Sequence, residues 1–156
     1  ILDKMRGRFS VSRLETMFDD LLSGNGKAFS ELLGGYLRDL VSVYDTANKE
    51  SFYHGFVLGM TALFVSDYII ESNRESGYGR FDLAIIPKDV SKAGVIMEFK
   101  VASREADMAA KAKEALQQIE EREYVTEFRQ RGIQRVWKYG IAFCGKKILA
   151  FQGPMC

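Results

Sequence analysis

The sequence has 156 residues, 47% hydrophobic and 28% charged, with a formal net charge of +1 at pH 7. That length suits one ordinary domain with a real core, and no apolar run reaches the roughly 20 residues that cross a bilayer. Near-neutral charge excludes the broad positive field of a generic nucleic-acid binder, so a nucleic-acid partner would have to meet locally concentrated basic residues. Helical spacing begins almost at once. Over residues 8–45, Val11, Leu14, Met17, Phe18, Leu21 and Leu22 recur at intervals of three and four. Ser10 or Ser12 can cap the start, and Ser23-Gly24-Asn25-Gly26 stops the first helix. A second helix carries Phe29, Leu32, Leu33, Tyr36, Leu37, Leu40 and Val41 and is expected to end near Tyr44 and Asp45. A third should begin near Asn48. Phe52, Phe56, Leu58, Met60, Leu63 and Phe64 make it apolar on more than one side, which predicts burial. Weak alternation over 65–71 predicts a strand. Residues 72–79 read as a turn with two glycines, 80–86 as a second strand ended by Pro87, 88–93 as a polar turn, and 94–101 as a third strand. A long helix follows over 104–123, with Met108, Ala112, Ala115, Leu116 and Ile119 as its inner stripe. Residues 124–131 read as a short helix ended by Gly132. Residues 137–144 and 147–151 read as a hairpin joined at Gly145.

This order predicts an α/β fold: a mixed central sheet of about five strands flanked by helices, preceded by a helical N-terminal segment. No internal repeat, low-complexity stretch or Pro-rich linker divides the chain. The longest apolar run, 56–65, is broken by Gly59 and Thr61 and followed by Ser66 and Asp67, so no membrane span is expected. A secretory signal pattern is lacking. The opening at Ile1 reads as a piece of something longer or as a trimmed chain, so that lack says little of the full-length protein; cytoplasmic residence is expected from the cysteine usage. Cys144 and Cys156 are too few for a disulfide framework or a zinc cluster. Cys144, in an apolar strand, should be a buried small hydrophobe. Ser23-Gly24-Asn25-Gly26-Lys27-Ala28 fails as a phosphate loop. Its first glycine is missing, Ala28 stands where Ser or Thr is needed, and no strand precedes it.

The informative residues are Gly79-Arg80-Phe81-Asp82 and Val95-Ile96-Met97-Glu98-Phe99-Lys100. Side chains alternate along a strand, so Glu98 and Lys100 share a face and Phe99 takes the other. Asp82 belongs to the preceding strand, a hairpin partner. Charges inside such apolar flanks are expensive unless compensated. Two compensations fit. One is an ion pair at a sheet edge. The other is a divalent cation such as Mg²⁺, which takes one or two carboxylates and keeps several waters. Such an ion can polarise a phosphoryl oxygen and acidify a bound water, and a lysine can orient that water or offset charge on a phosphate.

Asp82, a gap of fifteen residues, then Glu98-Phe99-Lys100 resembles the D…(D/E)-x-K signature of the PD-(D/E)XK nuclease superfamily. Ser72-Asn73-Arg74-Glu75-Ser76-Gly77-Tyr78-Gly79-Arg80-Phe81-Asp82, Phe52-Tyr53-His54-Gly55-Phe56, Ala115-Leu116-Gln117-Gln118-Ile119 and Tyr139-Gly140-Ile141-Ala142-Phe143 resemble one of its families. That family is the bacterial nuclease-like domain found C-terminal to an AAA-ATPase-like domain. The resemblance spans roughly residues 40–152. It implies a restriction-endonuclease-like fold over 46–156, with 1–45 as a helical segment leading from an ATPase-like part. It implies hydrolysis of nucleic acid, DNA before RNA, with Mg²⁺ or Mn²⁺. Asp82 and Glu98 would bind the metal, helped by a backbone carbonyl near Phe99, and Lys100 would position the attacking water or stabilise the transition state. Gln118, in an Ala-Leu-x-Gln-Ile run, and Glu50, on the helix before the sheet, would support them. Phe81 stands where the signature often has proline, and Arg122 where the family often has lysine.

Other residues carry two readings. His54, the only histidine, could serve as a base or contact phosphate, but a hydrogen-bonded, partly buried structural role is favoured. Arg74 and Arg80 could hold phosphates or pair with Glu71 or Glu75. Gly77 and Gly79 could admit a nucleic-acid backbone, though a positive-φ turn is favoured. Tyr124 could stack on a base, with packing on the sheet preferred. Arg129, Arg131, Arg135 and Lys138 could contact a phosphate backbone, against the safer reading of a solvated surface. The rival to a nuclease is a catalytically silent module of the same fold that binds nucleic acid or protein and regulates an attached ATPase.

Overall fold

A computed structural model describes residues 10–42, 50–72, 75–76 and 79–156. Helix α1 (Val11–Leu22) opens where the Ser10 hydroxyl accepts from the Arg13 amide, and it buries Leu14, Met17, Phe18 and Leu21. Asn25 caps α2 (Gly26–Leu40) by accepting from the Ala28 amide at 3.2 Å. This helix stops earlier than its apolar pattern suggests, because Val41 turns to extended backbone with φ −112° and ψ 134°. Tyr44, Asp45 and Asn48, where a helix end and a helix start were expected, lie outside the described residues. Helix α3 (Glu50–Thr61) runs into a 3₁₀ turn, Ala62–Phe64.

Strand β1 (Tyr68–Ser72) begins three residues later than alternation predicts. The ammonium of Lys88 takes the carbonyls of Val65 and Ser66 at 3.1 and 2.8 Å, so they serve a turn rather than a partner strand. The expected turn over 72–79 contains a two-residue ladder between β2 (Glu75–Ser76) and β3 (Gly79–Arg80). Phe81 and Asp82 then bend the chain into β4 (Leu83–Pro87), so Arg80 and Phe81 precede the strand rather than start it. Strand β5 (Gly94–Val101) has the predicted bounds. A 3₁₀ turn at Glu105–Asp107 leads into α4 (Met108–Glu121), followed by α5 (Val125–Gln130), β6 (Val136–Cys144) and β7 (Lys147–Gln152).

The five long strands form one mixed sheet in the order β1-β4-β5-β6-β7. Only β5 and β6 pair in parallel, and α4 and α5 make the crossover between them. The expected mixed five-stranded α/β fold is thus the observed one. Helices α1–α3 cover one face, where Leu21, Leu33 and Tyr53 share a core with Val95, Met97, Phe99, Tyr139 and Phe143. On the other face Ile96 and Val136 pack with Ile119, Tyr124 and Phe128 of the crossover. Hydrogen bonds fasten the N-terminal helices to the sheet: Trp137 Nε1 donates to the Leu22 carbonyl at 2.9 Å, the Tyr139 hydroxyl to the Leu21 carbonyl at 2.7 Å, and the Gly26 amide to Gln152 Oε1 at 3.3 Å.

Gly140 sets the height of α4 above the sheet. A Cβ there would lie 2.2 Å from the Ala112 carbonyl oxygen and 2.5 Å from the Leu116 amide nitrogen. Gly132 and Gly145 have φ of 86° and 57°, which explains glycine at both turns. Cys144 is half-buried rather than buried, because it closes β6 opposite Lys147 at the hairpin end. No described helix is long and apolar enough to cross a membrane.

Candidate functional site

Alternation along β5 places Val95, Met97 and Phe99 in the core under α1–α3, and Ile96 in the core under the crossover. Glu98 and Lys100 therefore face α4, two residues and four residues beyond Ile96. Asp82 reaches them from the bend before β4, where Leu83 pairs with Met97. Its Oδ2 accepts the Phe99 amide at 2.7 Å. The carbonyl of Asp82 is held from α3, with His54 Nε2 at 2.9 Å from that oxygen and at 2.9 Å from the Ser72 hydroxyl. A carbonyl only accepts, so Nε2 carries the proton in this contact. Glu50 stands one turn before His54 on the same helix face.

Gln118 of α4 closes the arrangement. Its amide nitrogen donates to Glu98 Oε1, and its amide oxygen accepts from Lys100 Nζ at 3.0 Å. One side chain thus joins the acid and the base of the strand. Lys100 also lies 4.0 Å from Glu114, whose side chain is 53% exposed. Such a contact is screened by solvent and holds little. Glu50, Asp82, Glu98, Lys100, Gln118, Arg122 and Tyr124 line one open cleft of about 400 Å³.

The charge in this cleft is poorly compensated. Glu98 is 4% exposed, and among the described residues its Oε2 has no hydrogen-bond partner. Burial, then the neighbouring Asp82 carboxylate, pushes its carboxyl up to about 8, and Lys100 and a hydrogen bond from the Asp82 backbone oppose that rise. The Glu50 carboxyl is also raised, first by desolvation and then by Asp82, with Lys100 and His54 pulling it down. An orphaned buried oxygen is costly, and a cation beside Glu98 and Asp82 would satisfy it. Among the described residues no three His, Cys, Asp or Glu side chains gather into a cage. A donor set of two carboxylates suits Mg²⁺ or Mn²⁺, which keep part of their hydration shell, better than a closed structural site.

Residues 48–152 match the PD-(D/E)XK nuclease superfamily. The chain belongs to that superfamily. No curated protein matches the chain. The PD-(D/E)XK match encloses every residue lining the cleft, and the mixed five-stranded sheet with flanking helices is the corresponding restriction-endonuclease-like fold. At the level of the superfamily the chemistry is that of nucleases, phosphodiester hydrolysis typically with a divalent metal.

The structure brings together Glu50, Asp82, Glu98, Lys100 and Gln118, which the sequence placed on four separate segments. It does not bring the expected nucleic-acid contacts with them. Arg74 lies outside the described residues, and of Arg80 only the backbone, in β3, is described. Tyr124 lines the cleft but is 1% exposed, with its ring edge-on to Phe81 at 5.8 Å. A base cannot stack on a ring so enclosed, so this tyrosine packs. The basic run is dispersed as well. Arg131 bonds Glu71 and Glu127, each at 3.0 Å. Lys138 is 1% exposed and pairs with Glu120, and Arg135 donates to the Ser91 carbonyl at 2.8 Å. Arg122 lines the cleft and His54 holds the Asp82 carbonyl behind it, without either having been assigned to the site. Their signal was the interval of four residues, Arg122 after Gln118 and His54 after Glu50.

Proposed function

We propose that this domain hydrolyses phosphodiester bonds of nucleic acid, DNA before RNA, using Mg²⁺ or Mn²⁺ held by Asp82 and Glu98. The supporting observation is the unpartnered buried oxygen of Glu98 beside Asp82, in a cleft that also holds Lys100. A bound divalent ion supplies Lewis-acid polarisation of the phosphate and favours deprotonation of the attacking water. The residues supply the rest. Gln118 fixes the Lys100 ammonium and the Glu98 carboxylate relative to each other. Lys100 orients the nucleophile and offsets charge developing on the phosphate. His54 and the Phe99 amide hold Asp82 from its two ends, and Glu50 supports from α3. The helices before residue 46 would lead from an AAA-ATPase-like part of a longer, bacterial, cytoplasmic protein.

The test is cleavage of supercoiled plasmid, single-stranded DNA and RNA in Mn²⁺ by the wild type and Lys100→Ala. We expect the variant to lose at least about 100-fold in rate, the scale of one electrostatic stabiliser. A formal net charge of +1 favours a second reading: a silent module that binds nucleic acid or protein and regulates an attached ATPase. That reading expects no cleavage by the folded wild type, and no change in Mn²⁺ binding on Asp82→Ala.

A further inference from the structure

A phosphodiester is an anion, and it would enter a cleft lined by carboxylates as well as cations. Glu50, Asp82 and Glu98 line it against two cations, Lys100 and Arg122. Lys100 is already held by Gln118. Arg122 is not so held. Its residue is exposed, and among the described residues its guanidinium has neither a hydrogen bond nor an ion pair. Glu121 and Glu123 flank it, and on the crossover Lys111 pairs with Glu114 and Arg131 with Glu127, which leaves Arg122 as the uncommitted cation at the cleft. It follows Gln118 by one turn of α4. It also borders a second hollow with Glu114, Gln117 and Glu121, so it stands where the cleft opens outward.

The backbone gives an independent sign. Glu123 has φ 50° and is the one non-glycine residue with positive φ among the described residues. Glycine is the usual choice where a helix ends in this left-handed turn, and strain of this kind gathers at functional sites. Here the turn does two things. The Glu123 amide closes α4 on the Glu120 carbonyl at 3.2 Å, and Tyr124 enters the core with Ile119 and Phe81. With Tyr124 buried, Arg122 is fixed at the lip of the cleft with its side chain uncommitted.

We propose that Arg122 grips a backbone phosphate of the nucleic-acid strand in the cleft; this rests on the nucleic-acid reading above. A guanidinium presents a planar fork that matches two phosphate oxygens, which the ammonium of lysine does not. The contact carries affinity and position, not base sequence.

The test is equilibrium binding of a short fluorescein-labelled oligonucleotide, single-stranded and duplex, by anisotropy with Ca²⁺ in place of Mn²⁺ and over a range of salt. Arg122→Ala should weaken binding about tenfold and lower the salt slope by about one. Arg122→Lys should keep the slope and recover part of the affinity, while Mn²⁺ affinity stays unchanged in both. Wild-type binding by Arg122→Ala overturns the proposal. So does weaker binding with an unchanged salt slope, which a purely structural role would produce, and so does a wild type that binds no oligonucleotide. A wild type that binds through Arg122 yet cleaves nothing overturns the nuclease reading and leaves this contact standing.

Discussion

Glu98 is the residue on which the site turns. Its carboxyl is raised from 4.5 to about 8, chiefly by burial and then by Asp82. The folded state therefore holds this proton more tightly than the unfolded chain does. The stability it contributes is complete below about pH 4.5 and is lost as pH rises to about 8, with a slope of at most about 1.4 kcal/mol per pH unit. Metal binding runs the other way, because the ion must displace the proton. Melting curves of the metal-free protein should fall in temperature from pH 5 to pH 8, and Glu98→Gln should flatten that fall. Calorimetric Mn²⁺ affinity should rise over the same interval in the wild type and be lost in the variant. A melting temperature independent of pH would mean that Glu98 is already ionised in the metal-free fold. The Glu-x-Lys pair was legible in the sequence because two charges on one face of an apolar strand call for compensation. The freedom of Arg122 was not legible. It depends on which of Glu114, Glu120 and Glu121 is already taken, and that is decided by tertiary placement: Lys111 holds one and Lys138 another.

At the scale of elements, the site exists because α4 lies directly on β6. Glu98 pairs with Gly140 across the parallel β5–β6 ladder, and only a hydrogen at position 140 lets the helix backbone descend that far. Gln118 can then reach both Glu98 and Lys100. Gly140→Ala would place a methyl against the Ala112 carbonyl and the Leu116 amide, neither of which can yield as a flexible side chain could. It should cost about 1–3 kcal/mol of stability. It should also lower cleavage more than it lowers folding, by lifting Gln118 off its partners. Chemical denaturation and cleavage rates measured on the same sample check both. An unchanged rate would mean that Gln118 is dispensable. Alternation located β5 to the residue, since its burial follows from its own sequence. The start of β1 was misplaced because Lys88, far along the chain, captures the Val65 and Ser66 carbonyls, and no local pattern encodes that contact. Arg80 and Phe81 read as strand for a similar reason: their apolar spacing is satisfied by a bend that delivers Asp82.

For the whole molecule, α1 and α2 belong to the same core as the strands that carry the site, even though the sequence resemblance begins only near residue 40. Leu21 and Leu33 are fully buried in that core. Leu21→Ala should cost about 2–5 kcal/mol, and denaturation followed by circular dichroism and by any probe on the sheet should still trace a single transition. Two separated transitions would show that the helical layer folds apart from the sheet. The contact between the layers also has an optical use. Trp137 is the only tryptophan in the chain; its indole donates to the Leu22 carbonyl, and Gly24 sits against the ring so closely that a Cβ there would come within 2.4 Å. Its emission therefore reports whether the α1–α2 turn is docked, with no added label and from the end of β6 remote from Glu98 and Lys100. An emission spectrum that stays blue while metal or oligonucleotide is titrated would mean that ligands act within the cleft alone. A red shift on titration would mean that occupancy of the cleft is felt by the helical layer on the far face of the sheet.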